Sequence, residues 1–257
     1  MKYICVDSHN EFPEFPLNNR KPEGIKLINF PEISMWGMFP WGGFGANPLP
    51  ERFRRLWKQA SDICDGGFPY SEGIYEDFNK ALYAGFYWNG DNEISETMRE
   101  YFNYEFGSCD YDDLSKAIDI MEQNHGLYWQ YKPGEKITRK SLRFLKNKPG
   151  ILSTVKEYKN ARACFDILQA VDKKIPEWAE KSWRWRILYL RGEIDMLLDE
   201  NNGEPDQKCE SILKELAGIY HANNKMYRIN PVTDEFIAAE KKRMETEKQK
   251  NSEILEI

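Results

Sequence analysis

The chain is poor in the residues from which metal and redox sites are built: 3 histidines and 5 cysteines in 257 residues. The cysteines, Cys5, Cys64, Cys109, Cys164 and Cys209, lie far apart and none falls in a C-x-x-C pair. Zinc is therefore not expected, nor any other metal or cofactor. An odd number of cysteines without an export signal reads as free thiols in a reducing compartment. No apolar run approaches the roughly 20 residues that span a bilayer, so no membrane association is expected. The opening MKYICVDSHNE has too short an apolar run for a signal peptide. As given, the chain is expected in the cytoplasm, an expectation that would not transfer to a longer exported protein. Charge of one sign is also missing from any single stripe. The net charge is −6. The Arg52, Arg54, Arg55 group and the basic stretch 136–148 read as solvated helix faces or loops, so no nucleic acid partner is expected. Gly42-Gly43-x-Gly45 lacks the spacing of a dinucleotide fingerprint, and no Ser-His-Asp order or phosphate loop occurs.

What is present divides near residue 50. The first fifty residues are rich in proline and glycine and hold two strand-like runs, Tyr3–Val6 and Ile25–Phe30. Both are β-branched or aromatic without clean alternation, which suits strands of a parallel sheet. From Pro50 onward the periodicity is helical. Helices are expected over 50–64, 72–88 (with Ser71 as N-cap), 93–106, and 110–124 with Asp110 as cap. Residues 125–150 are less regular. An amphipathic helix is expected to carry Ile151, Val155, Tyr158, Cys164, Phe165, Leu168 and Val171. Another, begun by Pro176, carries a stripe of Trp183, Ile187, Leu190, Ile194 and Leu197. Two more are expected over 205–221 and 232–250, the last highly charged. The fold class is thus mainly α with a short α/β segment at the N-terminus. Its expected division is 1–90, an α/β segment with aromatic loops, and 91–257, a helical domain.

Three segments near the N-terminus concentrate polar and aromatic groups. DSHNEFPEFP, directly after the first strand, brings Asp7, His9, Asn10 and Glu11. In α/β architectures the residues just past the carboxyl ends of parallel strands face the site. NFPEISMWGMFPWGGFGANP follows the second strand and sets one acid, Glu32, among Trp36, Trp41, Phe44 and other aromatics. A carboxyl in such surroundings has a raised pKa, as a general acid requires. Indole and phenyl rings are platforms for the apolar faces of sugars. An aromatic plug closing the core is the competing reading of this loop. GGFPYSEGIYEDFN brings Tyr70, Glu72 and Tyr75, although acids at a helix start also serve the helix dipole. Glu11, Glu32 and Glu72 supply the carboxylate pairs that glycosidases use. His125 and His221 are isolated and read as surface or core residues. Trp178, Trp183 and Trp185 read as packing.

The runs NFPEISMWGMFPWGGFGANPLP, GGFPYSEGIYEDFNKALYAGFYWN and SWRWRILYLRGEID resemble the carboxyl-terminal portion of large bacterial glycoside-hydrolase-like proteins. These have a TIM-barrel domain related to the β-hexosaminidase (family 20-like) and α-glucuronidase groups, followed by a helical domain. The resemblance implies that DSHNE and NFPEIS are the ends of the last barrel strands. It implies that Glu11, Glu32 and Glu72 line a carbohydrate site. A complete barrel needs eight strands and about 250 residues of its own. The expectation is therefore the end of a barrel, completed by a missing N-terminal barrel partner or by homo-oligomerisation. Glu32 is the candidate general acid, Glu11 the candidate nucleophile or base, and Trp36 and Trp41 the candidate sugar platforms. Two rival readings stand beside this one. One is a non-catalytic carbohydrate-binding module. The other is a helical protein-interaction module using residues 151–222.

Overall fold

A computed structural model describes residues 2–8, 12–19, 21–33, 46–71, 76–107, 109–125, 158–203 and 205–220. The elements are β1 (Tyr3–Asp7), α1 (Glu14–Asn19), β2 (Lys26–Phe30), α2 (Pro50–Ala60), α3 (Asp77–Trp88), α4 (Ile94–Phe106), α5 (Tyr111–Gln123), α6 (Ala161–Asp172), α7 (Glu177–Glu180), α8 (Trp183–Glu200) and α9 (Gln207–Tyr220). The protein is mainly helical with a small parallel sheet at its N-terminus, as the sequence pattern indicates. The expected helix 232–250, the stretch 125–150 beyond His125, and residues 151–157 lie outside the described residues.

β1 and β2 pair in parallel, with Tyr3 opposite Lys26 and Asp7 opposite Phe30. Asp7 therefore closes the first strand and does not follow it. Segment 66–70 continues the sheet on the other side of β2 through two further parallel bridges, Asn29 to Gly67 and Glu32 to Tyr70. α2 lies between β2 and this third segment in the chain, so the order is that of a strand–helix–strand crossover. One sheet face looks inward, with Val6, Leu27, Asn29 and Ile33 buried. Gly67 sits over that face. A Cβ placed there would stand 2.5 Å from the Asn29 carbonyl oxygen and 2.5 Å from the Tyr87 ring. Glycine is what lets the third segment lie this close to β2 and α3.

The helices pack in a chain of neighbours. α3 contacts both α2 and α4, α6 contacts both α5 and α8, and α9 lies on α8. α8 has 11 buried residues among its 18, more than the single expected stripe, which makes it the central helix. Gly192 on α8 admits the Leu168 side chain of α6, whose Cδ1 would clash with an added Cβ. Local caps set several ends. Asp110 accepts from the backbone N–H groups of Asp112 and Asp113 at 3.1 and 3.2 Å. Gly107 ends α4 with φ +75°.

Five details differ from the sequence pattern. The helix expected to carry Ile151 to Val171 starts only at Ala161, because Tyr158 precedes a turn in which Asn160 takes a left-handed φ of +58°. Residues 14–19 form a short helix that the sequence reading does not include. The stretch from Pro176 is two helices, because the Ser182 hydroxyl accepts from the Arg184 N–H and starts α8 afresh. The second core helix is described from Asp77, with Glu76 at its N-cap position, and the Ser71 hydroxyl donates to the Glu76 carboxylate. Arg52 is 5% exposed and not on a solvated face.

Between α2, α5 and α8 lies a buried polar cluster. Arg191 is fully buried and donates to Asp195 Oδ2 at 2.9 Å, the Ala46 carbonyl at 2.9 Å, Asn47 Oδ1 at 3.3 Å and the Met121 carbonyl at 3.1 Å. Glu122, also buried, accepts from the backbone N–H groups of Glu51 at 3.1 Å and Arg52 at 2.8 Å. α2 has no side-chain cap of its own, so a carboxylate from α5 fills that place. Burial pushes the Glu122 carboxyl up to about 7, outweighing the two N–H donors that pull it down. His125 is buried near Arg52 and Arg191, and burial lowers its pKa further than either charge does.

Three outcomes are expected. Arg191→Met leaves Asp195 buried without its partner and lowers the unfolding free energy by about 3–5 kcal/mol, read from urea denaturation; a loss near zero would mean the pair is not a constraint. Glu122 holds its proton more tightly folded than at its ordinary value of 4.5. Its contribution is complete below that value and fades as pH rises through about 7. The native protein therefore loses up to about 3 kcal/mol from pH 4.5 to pH 8 through this group, and Glu122→Gln flattens that part of the profile. Parallel pH profiles for the two proteins would contradict it. Gly67→Ala costs about 1–3 kcal/mol and loosens the third sheet segment, seen as faster amide exchange at Phe68 and Tyr70; unchanged exchange would refute the tight approach.

Candidate functional site

A parallel sheet sends its carboxyl ends to one edge. Here β1, the extended run from β2 to Ile33, and segment 66–70 all end on the same side. The register aligns Asp7 with Phe30 and Glu32 with Tyr70. The pairing past β2 is continuous. The Phe68 N–H donates to the Asn29 carbonyl at 3.0 Å, Tyr70 N–H to the Pro31 carbonyl at 2.7 Å, and Ile33 N–H to the Tyr70 carbonyl at 2.9 Å. Each of the three polar and aromatic segments singled out in the sequence therefore departs from this one edge.

Of the candidate residues, Asp7, Glu32 and Tyr70 are described. Asp7 is exposed at the end of β1, and Glu32 is half-buried. Tyr70 is 36% exposed, with its ring 5.4 Å from that of Phe30. Phe68 packs on Phe30 from the same side at 4.9 Å. His9, Asn10, Glu11, Trp36, Trp41, Phe44, Glu72 and Tyr75 lie outside the described residues. The structure brings the segments that carry them to one edge through their described ends.

The inner side of the edge is built from polar residues that the sequence reading did not single out. Ser8 donates to Asn29 Oδ1, and Asn29 Nδ2 bonds Tyr87 Oη at 3.2 Å. Asn79 on α3 does more. Its Nδ2 donates to the Asn47 carbonyl at 2.7 Å and the Ile33 carbonyl at 3.3 Å. Its Oδ1 accepts from the Leu49 N–H at 3.2 Å. One buried carboxamide thus joins the strand end next to Glu32 to residues 47 and 49. A polar residue at an inward position of a strand or helix is the signal that could have found Asn29 and Asn79. The partners, 20 to 60 residues away, were not visible there.

Beside Asn79 is a shallow, open depression lined among others by Asn47, Glu76, Tyr101, Trp183 and Arg184. Arg184 lies over the Trp183 ring at 4.5 Å and pairs with Asp77 and with Glu105, the latter at 3.3 Å. Burial raises the Glu105 carboxyl pKa, Arg184 opposes that rise, and Asp77 adds to it. Trp183 is half-buried and Trp178 is 57% exposed, so of the three tryptophans only Trp185 is fully packed, with its indole N–H on Asp172 at 2.7 Å. His125 is a core residue. Among the described residues no group of three or more His, Cys, Asp or Glu side chains could hold a metal. None of the described helices is long and apolar enough to cross a membrane.

No family model matches the chain, and no curated protein is similar to it at a significant level. Among solved structures it is similar to a family GH115 4-O-methyl-α-glucuronidase described as specific for decorated arabinogalactans. The TM-score is 0.52 and the identity 14%, over 86% of this chain and 32% of that one. The chain spans about a third of that enzyme's length. At this identity the likeness is one of fold alone.

Proposed function

We propose that the chain is a carbohydrate-active unit, the C-terminal portion of a glycoside hydrolase, with its sugar site at the carboxyl edge of the parallel sheet. The observation that carries this reading is the convergence of the three acid- and aromatic-bearing segments on that edge. The fold likeness to a glucuronidase supports it. Under this reading Glu32 is the general acid, Glu11 the nucleophile or base, and Glu72 a third carboxylate of the site. Trp36, Trp41 and Phe44 stack on sugar faces. Asp7, His9, Asn10, Tyr70 and Tyr75 supply hydroxyl contacts. The α/β part comprises residues 1–90 and the helical part 91–257.

The outer side of the sheet supports incompleteness. Parallel sheets are normally covered on both faces, yet Tyr3 is 55% and Phe68 49% exposed on the outward face. Among the described residues β1 pairs with β2, and under this reading its other edge would take a further strand. Further parallel strands from the rest of a barrel would occupy that edge. A second reading, sugar binding without hydrolysis, uses the same edge and aromatics but no paired acids.

Isothermal titration against mono- and oligosaccharides, including glucuronic acid and N-acetylglucosamine, tests the reading. Binding heat that disappears in Trp41→Ala is expected. Silence across the panel contradicts a sugar site. If binding is found, Glu32→Gln separates the two readings: it abolishes hydrolysis while keeping binding if Glu32 is the acid. An active preparation whose rate is unchanged by Glu32→Gln would remove Glu32 from the chemistry.

A further inference from the structure

We infer that Asn79 is a positioning residue for the carboxyl-edge site, fixing where the strand end bearing Glu32 stands relative to residues 46–49 and the helical body. The inference rests on the proposed carbohydrate reading and adds a residue that the reading does not contain.

The argument is one of bonding capacity. An amide side chain has two N–H donors and one carbonyl oxygen. Asn79 is 1% exposed and spends these groups on three backbone partners from two separate stretches. The Ile33 carbonyl belongs to the residue after Glu32. The Asn47 carbonyl and Leu49 N–H belong to the stretch that leads into α2. Ile33 is held from its other side by its N–H on the Tyr70 carbonyl at 2.9 Å. The backbone immediately after Glu32 is thus clamped between Tyr70 and Asn79. The 46–49 stretch is itself fixed to the central helix, since Arg191 Nη1 donates to the Ala46 carbonyl at 2.9 Å and to Asn47 Oδ1 at 3.3 Å. Placement therefore passes from α8 to residues 46–47, from there to Asn79 on α3, and on to the strand end. No other polar side chain is described in contact with the Ile33 carbonyl. The described hydrogen bonds of Asn79 go to Ile33, Asn47 and Leu49, so it would act through these backbone groups.

Asn79→Asp keeps the shape and the acceptor for Leu49 but replaces the N–H donors with a carboxylate facing two carbonyl oxygens. Leu168→Ala, in the core between α6 and α8, is the control for loss of stability alone. Sugar affinity is measured by titration well below the melting temperature of each variant, with circular dichroism verifying that each is folded. Asn79→Asp is expected to weaken binding of the best ligand from the panel at least 10-fold. Leu168→Ala is expected to bind like the wild type despite an equal or larger drop in melting temperature. Asn79→Ser, which restores a small donor without the charge, is expected to recover part of the affinity. Equal affinity in Asn79→Asp and wild type would overturn the inference while leaving the carbohydrate reading in place. So would an equal loss in Leu168→Ala. A wild type that binds no sugar would overturn both, and that outcome is recognisable because it precedes any variant. Should Asn79→Asp fail to fold, the Asn79→Ser and Leu168→Ala pair decides: Asn79→Ser must bind more weakly than Leu168→Ala at matched stability, or the inference fails.

Discussion

The charge of Arg191 is fully buried and is met by protein groups on several sides. Taking a guanidinium out of water costs several kcal/mol unless its donors are all placed. Here the placement comes from four directions: Asp195 one turn along α8, the Met121 carbonyl at the end of α5, and Ala46 and Asn47 from the stretch before α2. These acceptors must be where they are for the helix to be buried at all. The stretch that enters α2 is then set against the central helix. Glu122, the residue after Met121, caps the first turn of α2. The sheet edge inherits its position through Asn79. A guanidinium with five donors in a fixed fork suits this junction in a way that an ammonium does not.

Much of this was readable from the chain. β-branched and aromatic runs marked β1 and β2, and helical periodicity marked α2 to α6, α8 and α9, because burial of one face leaves a regular trace. Asp110 announced its own helix, since capping is local. What could not be read depends on distant partners. In the run Arg-Gly-Glu-Ile-Asp, residues 191–195, the arginine and aspartate have the i, i+4 spacing of a surface ion pair. Nothing local says that Gly192 admits Leu168 and that both charges are buried. Arg52 looked solvated for the same reason. The break between α7 and α8 turned on one serine hydroxyl. The short helix at 14–19 was hidden by Pro16, which is tolerated only in a first turn.

The candidate site shows the same division. That the first two segments would share an edge followed from reading two parallel strands and expecting residues past their carboxyl ends to converge. The third sheet segment, 66–70, was read only as a glycine-rich loop. Its role became visible through its pairing with Asn29 and Glu32. Gly67 is the physical reason it can lie there. The aromatic pair Phe68 and Tyr70 then falls on the outer face beside Phe30, where an α/β protein would place further structure. Under the proposed carbohydrate reading, this helical body with its sheet edge, held through buried polar contacts, would complete a larger α/β site.

The most direct test of the account is to map sugar-induced chemical-shift changes over the backbone amides of the isotope-labelled chain. The account predicts that they cluster at the carboxyl edge, at Ser8, Glu32, Ile33, Tyr70 and the 46–49 stretch, with α6 and α9 unaffected. Changes confined to the outer surfaces of α8 and α9, or none at saturating sugar, would contradict it.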